Sequence, residues 1–222
     1  MSVAISVSSA PAIATYDDLI AAIASALDRD DLTATEIPLF IAHAEREFNR
    51  LLRVRQMRTI ASIAATARDV TLPTDLLKLV QVERADGTRL FPVTLSQLAR
   101  YSTRTDVEVY AQIGGVPPVI RLAPTPSDET LDVIYLAKIP SLSADNQSNW
   151  LLASHHDVYY FMALAHAEAW LSNDERAAIW RQAADLVIGE IVDADRADRD
   201  TITDTLATEF PSIMPRYMVA NA

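Results

Sequence analysis

Cysteine is absent from this 222-residue chain, and glycine occurs only 4 times. The first absence removes disulfides, thiolate metal sites and cysteine nucleophiles by inventory. The second leaves no P-loop and no dinucleotide fingerprint, the Gly-rich arrangements that present backbone N–H groups to phosphates. Positive charge is scarce as well. Against 30 Asp and Glu stand 19 Lys and Arg, a net charge of -11, which is the wrong sign for a protein whose whole surface neutralises nucleic-acid phosphates. Long apolar runs are also missing: the longest, Val158 to Ala165, stops at His166, far short of a bilayer span. Residues Met1 to Ala14 lack the basic start and continuous apolar stretch of a signal peptide and read as an extended arm. Without such a signal, the sequon-like Asn146-Gln147-Ser148 reads as an ordinary loop. A soluble protein with no membrane partner is expected.

What is present is a chain of 50% hydrophobic residues, enough for one globular body with its own core. Thr15 followed by Asp17 and Asp18 has the form of a capped helix start, with acids where the helix dipole favours them. Leu19, Ile20, Ile23 and Leu27 then recur at helical spacing. Thr35 is placed to cap a second helix, with Pro38 in the first turn, where its missing N–H costs nothing. Ile37, Phe40, Ile41, Ala44, Phe48, Leu51 and Leu52 form its apolar stripe.

From Met57 to about Pro140 the texture changes to short β-branched runs between turn residues. Asp86-Gly87, flanked by Gln81–Arg84 and Thr88–Phe91, is a hairpin signal, because tight primed turns need residues that tolerate positive φ. Val107–Ile113, Val119–Leu122 and Leu131–Leu136 read as further strands of a small antiparallel sheet. Helical character returns at Trp150-Leu151-Leu152 and in the nearly all-apolar Val158–Ala165, which must be central. Ser172-Asn173-Asp174 separates it from a last helix burying Ala177, Trp180, Ala184, Val187, Ile188 and Ile191. Asp193–Asp200 is a dense mixed-charge run read as a linker, and prolines at 211 and 215 interrupt the apolar-dotted end.

The expected fold is therefore α+β, mainly α: an antiparallel helical bundle with a small antiparallel β-sheet insertion and an extended C-terminal tail. The expected divisions are an arm at 1–14, a core at 15–195 with helices about 15–54 and 150–195 and the β insertion about 56–140, and a tail at 196–222.

Few residues invite chemistry. His155-His156-Asp157, with His166 and Glu168 downstream, is the one cluster resembling a metal or acid–base set. Ligands on a helix need spacings of three or four, whereas His155 and His156 are adjacent and His166 lies nearly three turns past Asp157. Asp157 is read as a helix-start acid, the histidines as solvated, and no catalytic, cofactor or metal site is expected. An unrecognised hydrolase would need a pocket that no motif here announces. Arg46, Arg50 and Arg53, spaced four and three apart, share one face of the second helix opposite its apolar stripe. They point to contact with DNA phosphates or with an acidic neighbouring subunit, or else form a solvated face salted by Glu45 and Glu47. A helical DNA-binding or regulatory protein using this face is the rival reading.

Several stretches follow one another in a telling order. They are Thr15–Ile20, Ile37–Glu45 running into Leu52-Arg53-Val54-Arg55, Leu72-Pro73-Thr74-Asp75-Leu76, Asn149–Leu152, and Asp157–Tyr160 with Ala163–Leu171. As a whole the pattern resembles the head-to-tail adaptor, or head-completion, proteins of tailed bacteriophages, including the tail accessory factors of short-tailed phages. The likeness spans about Thr15 to Ile191; one departure is His156, where relatives usually carry proline before the acid that opens the central helix. The resemblance implies a dodecameric ring of subunits docked on the portal protein and handing on to a tail, nozzle or stopper protein. Packaged DNA would pass through the channel without sequence-specific binding. It implies a place in the virion neck, assembly in the host cytoplasm, and no catalytic residues. It also implies a C-terminal tail reaching the portal, for which Phe210, Ile213, Met214, Tyr217 and Met218 are the expected docking residues; a proline-broken segment of this kind makes no core of its own yet can fold against a partner.

Overall fold

The computed structural model describes residues 13–28, 32, 35–101 and 108–209, with side chains described as far as residue 199. The chain divides into two compact units, one formed by Met1–Val54 with Ile139–Ala222 and the other by Arg55–Lys138.

The first unit is helical. Its α1 (Tyr16–Leu27) opens on a reciprocal cap: the Thr15 hydroxyl accepts the Asp18 N–H at 3.1 Å, and the Asp18 carboxylate accepts the Thr15 N–H at 3.0 Å. Leu19, Ile23 and Leu27 are buried. In α2 (Glu36–Leu51), Ile37, Phe40, Ile41, Ala44 and Phe48 are buried, and the stripe closes on buried Leu52, whereas Leu51 is 46% exposed. Thr35 makes no side-chain cap, because its own backbone is already helical (φ -101, ψ -42) and a capping oxygen needs an extended one.

A short α4 (Trp150–Ser154) leads into α5 (His156–Trp170). Val158, Tyr159, Met162, Ala163, Leu164, Ala165, Ala167 and Glu168 are all buried there, so α5 is the central helix. Phe48 meets Tyr159 edge-on at 5.0 Å, and Phe161 stacks on Trp180 at 5.8 Å. The last helix, α6 (Asp174–Glu209), is 36 residues long and buries Ala184, Ile188, Ile191 and Asp195 along one side. The mixed-charge run expected to be a linker is thus part of a helix. Its charges are in helical register: Arg196 lies 3.6 Å from Asp193 and Arg199 lies 3.1 Å from Asp195, pairings at three and four residues that support a helix. Residues 210–222, the rest of the expected tail, lie outside the described residues.

The second unit corrects the expected fold. In place of a small antiparallel insertion in a helical bundle, it holds seven strands among the described residues, in one mixed sheet that nearly closes like a barrel. The strands are β1 (Arg58–Ala65), β2 (Asp69–Thr71), β3 (Leu76–Arg84), β4 (Arg89–Pro92), β5 (Val109–Ile113), β6 (Val119–Ala123) and β7 (Glu129–Ala137). Their order is β1-β7-β3-β4-β5-β6-β2, so the two edges are consecutive strands. All pairings are antiparallel except β4 with β5. That parallel pair follows from a crossover containing α3 (Leu95–Tyr101), the kind of connection parallel neighbours require.

The Asp86-Gly87 hairpin forms between β3 and β4, with Gly87 at φ 85, a conformation that glycine adopts without a Cβ clash. Alternate residues of the strands point to one interior: Ala65, Val70, Val82, Leu90, Tyr110, Ile120, Leu122, Leu131, Val133 and Tyr135 form a single cluster. A second, smaller cluster joins Leu98 of α3 to Val109, Ala111 and Ala123.

Candidate functional site

The polar residues of the helical unit fall into buried centres that hold backbone in place and an exposed cationic face. Glu45, on α2, is 5% exposed. Its carboxylate accepts the Leu142 N–H at 2.7 Å, and the Tyr159 hydroxyl lies 3.5 Å away. Asn149 caps α4 by accepting the Leu152 N–H at 2.9 Å and donates to the Tyr159 hydroxyl at 2.8 Å and the Pro140 carbonyl at 2.7 Å. One turn along α2, Asn49 accepts the Ile139 N–H at 2.9 Å. Together Glu45, Asn49 and Asn149 bind the segment Ile139–Leu142, which has no helix or strand partners of its own. Burial pushes the Glu45 carboxyl above its ordinary range, against the lowering effect of the Leu142 N–H. Burial and the adjacent Glu45 likewise push the Tyr159 hydroxyl up.

Glu168, 1% exposed on α5, takes an ion pair from Arg176 at 2.9 Å and a hydrogen bond from the Asn173 side chain at 2.9 Å, joining α5 to the start of α6. Glu47 forms a third centre, with Arg181 of α6 at 2.7 Å, His166 of α5 at 3.6 Å and Arg50 at 3.7 Å. Burial holds His166 below its ordinary value; the Glu47 carboxylate opposes this, and His43, Arg181 and Arg50 reinforce it. Among the described residues, no group of three or more His, Asp or Glu is arranged to hold a metal ion, and no helix is long and apolar enough to cross a membrane.

In the sheet unit, the Tyr135 hydroxyl donates to the Asp75 carboxylate at 3.1 Å, and the Lys138 N–H donates to the Asp75 carbonyl at 2.7 Å. Asp75 of the Leu-Pro-Thr-Asp-Leu stretch therefore orients the start of β3 against the end of β7. Arg84 pairs with Glu108 and Glu129, each at 2.7 Å.

Arg46 and Arg50 lie exposed on α2, where a helical wheel brings them together with His43 and Leu39 opposite the buried stripe. Arg53, expected on the same helix face, lies past its end, because the helix stops at Leu51 and the backbone is extended at Leu52 (φ -80, ψ 135). Arg53 also donates to the carbonyls of Asn49 and Leu52 at the helix end. Glu45, expected to salt this face, is instead buried, and only Glu47 stays beside it. His155 precedes α5, His156 opens it, and Asp157 accepts the Val158 N–H at 3.0 Å; His166 sits apart at the Glu47 centre. The proposed portal-docking residues Phe210, Ile213, Met214, Tyr217 and Met218 lie outside the described residues. Sequence reasoning missed Glu45, Glu168, Asn149 and Tyr159 as a buried polar set; the one signal was a carboxylate or amide inside an otherwise apolar stripe.

The buried carboxylates of Glu45 and Glu168 are each occupied in holding separate segments of the helical unit together. Comparison with family models places the chain among bacteriophage head–tail adaptors, structural proteins that associate with other virion components. It belongs to the SU10 adaptor protein family, whose model matches residues 14–208. No curated protein matches the chain.

Proposed function

We propose that the chain is the repeating subunit of a ring that docks on the phage portal and links it to the tail during virion assembly. The observation that carries the reading is the adaptor-family match across 14–208, which takes in both units. In this reading twelve copies surround a channel through which packaged DNA passes without sequence-specific contact, in the neck of the virion. Phe210, Ile213, Met214, Tyr217 and Met218 anchor each subunit on the portal, and Arg46, Arg50 and Arg53 face a neighbouring subunit or the channel. A tail, nozzle or stopper protein takes the opposite side, and assembly proceeds in the host cytoplasm.

Negatively stained images of the full chain mixed with purified portal test this directly. Added ring density on one face of the portal is expected, and bare portals at saturating concentrations of the chain would sink it. The same exposed arginines motivate the DNA-binding alternative, which requires tight binding that weakens steeply with salt. Titration with duplex DNA at low and moderate salt separates the two, since a passive channel needs no such affinity.

A further inference from the structure

The helix α6 has two working sides. One, through Ala184, Ile188 and Ile191, is buried. The other carries Ile179 and Leu186, 64% and 63% exposed, seven residues apart and therefore above one another on the helix. Ala178, Gln182, Asp185 and Leu186 line a shallow depression there together with Arg181. Around this apolar strip, 174–193 holds five carboxylates and two arginines. Both arginines are paired, Arg176 with Glu168, and Arg181 with Glu47 and with Asp185. Exposed Glu175, Glu190 and Asp193 set the sign of the outward face.

The outward face of α2 has the opposite character. Leu39, 48% exposed, stands with Arg46 and Arg50. Each face thus pairs exposed apolar side chains with flanking charge, and the charges are of opposite sign. They belong to the same helical unit but to different helices. A chain of net charge -11 repels its own copies unless a positive patch meets a negative one.

We infer that the arginine face of α2 in one copy docks on the Ile179–Leu186 face of α6 in the next. Two different patches that fit each other make a heterologous, head-to-tail contact, the type that generates rings when the rotation closes. Leu39 covers the strip between Ile179 and Leu186, while Arg46 and Arg50, both on one side of Leu39 along α2, meet Glu190 and Asp193 at one end of the strip. This rests on the ring reading above and names the surfaces that build the ring.

Two full-length variants test it. One carries Arg46→Glu with Arg50→Glu, and the other Glu190→Lys with Asp193→Lys. Each is examined alone and in equimolar mixture, by sedimentation and by electron microscopy on portals. Either variant alone sets like charges against each other and is expected to lose ring density, whereas the mixture restores it, because each reversed face then finds its opposite on the other variant. Rings formed by either variant alone, or a mixture that stays unassembled, overturn the pairing. Wild-type rings on portals together with such a result would leave the ring reading standing and remove only this interface. Wild-type chain that forms no ring, alone or on portals, overturns both.

Discussion

Glu45 accepts a hydrogen bond from the backbone N–H of Leu142 at 2.7 Å, although 97 residues separate the two in sequence. The bond closes the helical unit at the point where the chain re-enters it from the sheet unit. The carboxylate is buried and its pKa is raised, chiefly by burial. Between the ordinary carboxyl value and the raised one, the folded protein holds a proton that the unfolded chain has released. Stability is therefore fully present below the ordinary value and is lost as pH rises through the raised one. Glu45→Gln keeps an acceptor for Leu142 and removes the charge. The difference in Tm between wild type and Glu45→Gln is expected to move in favour of wild type as pH falls toward the ordinary carboxyl value. A difference independent of pH would show that the carboxyl titrates normally. Glu45→Leu, which leaves the Leu142 N–H unpaired, is expected to cost about 1–3 kcal/mol by urea unfolding.

Asn149 uses both ends of its amide. The oxygen caps α4, and the nitrogen donates to Tyr159 and Pro140. Capping alone ranks Asp with Asn. The network ranks it far lower, because a carboxylate has no donor for Tyr159 or Pro140 and would sit near Glu45. Asn149→Ala is expected to cost about 2 kcal/mol or more, and Asn149→Asp to be no better than Ala at neutral pH. An Asp variant as stable as wild type in denaturant titration would reduce Asn149 to a cap.

Much of this organisation is readable locally. The stripes of α1 and α2, the Thr15 cap and the Asp86-Gly87 hairpin depend on residues within a few positions of one another, and Arg46 and Arg50 share a face by spacing alone, whereas Arg53 falls past the end of the helix. The extent of the sheet is not local. The strand β1, Arg58-Thr-Ile-Ala-Ser-Ile-Ala-Ala, is rich in alanine, which has little strand preference, and it is held by pairing with β7 along its whole length. The parallel pairing of Phe91 with Val109 depends on a crossover that no turn signal marks. Glu45 and Glu47 look alike in sequence, two residues apart on one helix. Partners far along the chain, Leu142 for one and Arg181 for the other, decide that the first is buried and the second partly open.

In the sheet unit, Tyr135 is 4% exposed and donates to Asp75. Burial and the neighbouring carboxylate hold its hydroxyl pKa up at about 12. The folded state thus keeps a phenolic proton that the unfolded chain loses from about pH 10 upward, so this contribution is present below that value and disappears as pH rises through about 12. Tyr135→Phe is expected to cost about 1–2 kcal/mol at neutral pH. It should also flatten the alkaline loss of stability, as measured by Tm between about pH 9 and pH 11. Parallel alkaline profiles for the two proteins would remove Tyr135 as the cause.

The end of α6 sets where the proposed portal-docking residues can be separated from the body. Because α6 continues through Glu209, a truncation inside 196–209 shortens a helix as well as removing the terminal segment, and mixes two effects. A stop after Glu209 leaves the helix whole and removes Phe210, Ile213, Met214, Tyr217 and Met218 together. Burial of such side chains on a partner contributes roughly 25 cal/mol per Å² of apolar area, less the cost of ordering the segment. A ring multiplies that modest gain through effective concentration, since one docked tail holds the others near their sites. The truncated protein is therefore expected to melt at the temperature of the full chain and to stop decorating portals. If the segment instead packs on its own subunit, the melting temperature falls and portal binding need not change. Paired Phe210→Ser and Tyr217→Ser substitutions in the full-length chain check the same point without deletion: portal binding should weaken while Tm holds, and undiminished decoration would place the anchors elsewhere on the chain.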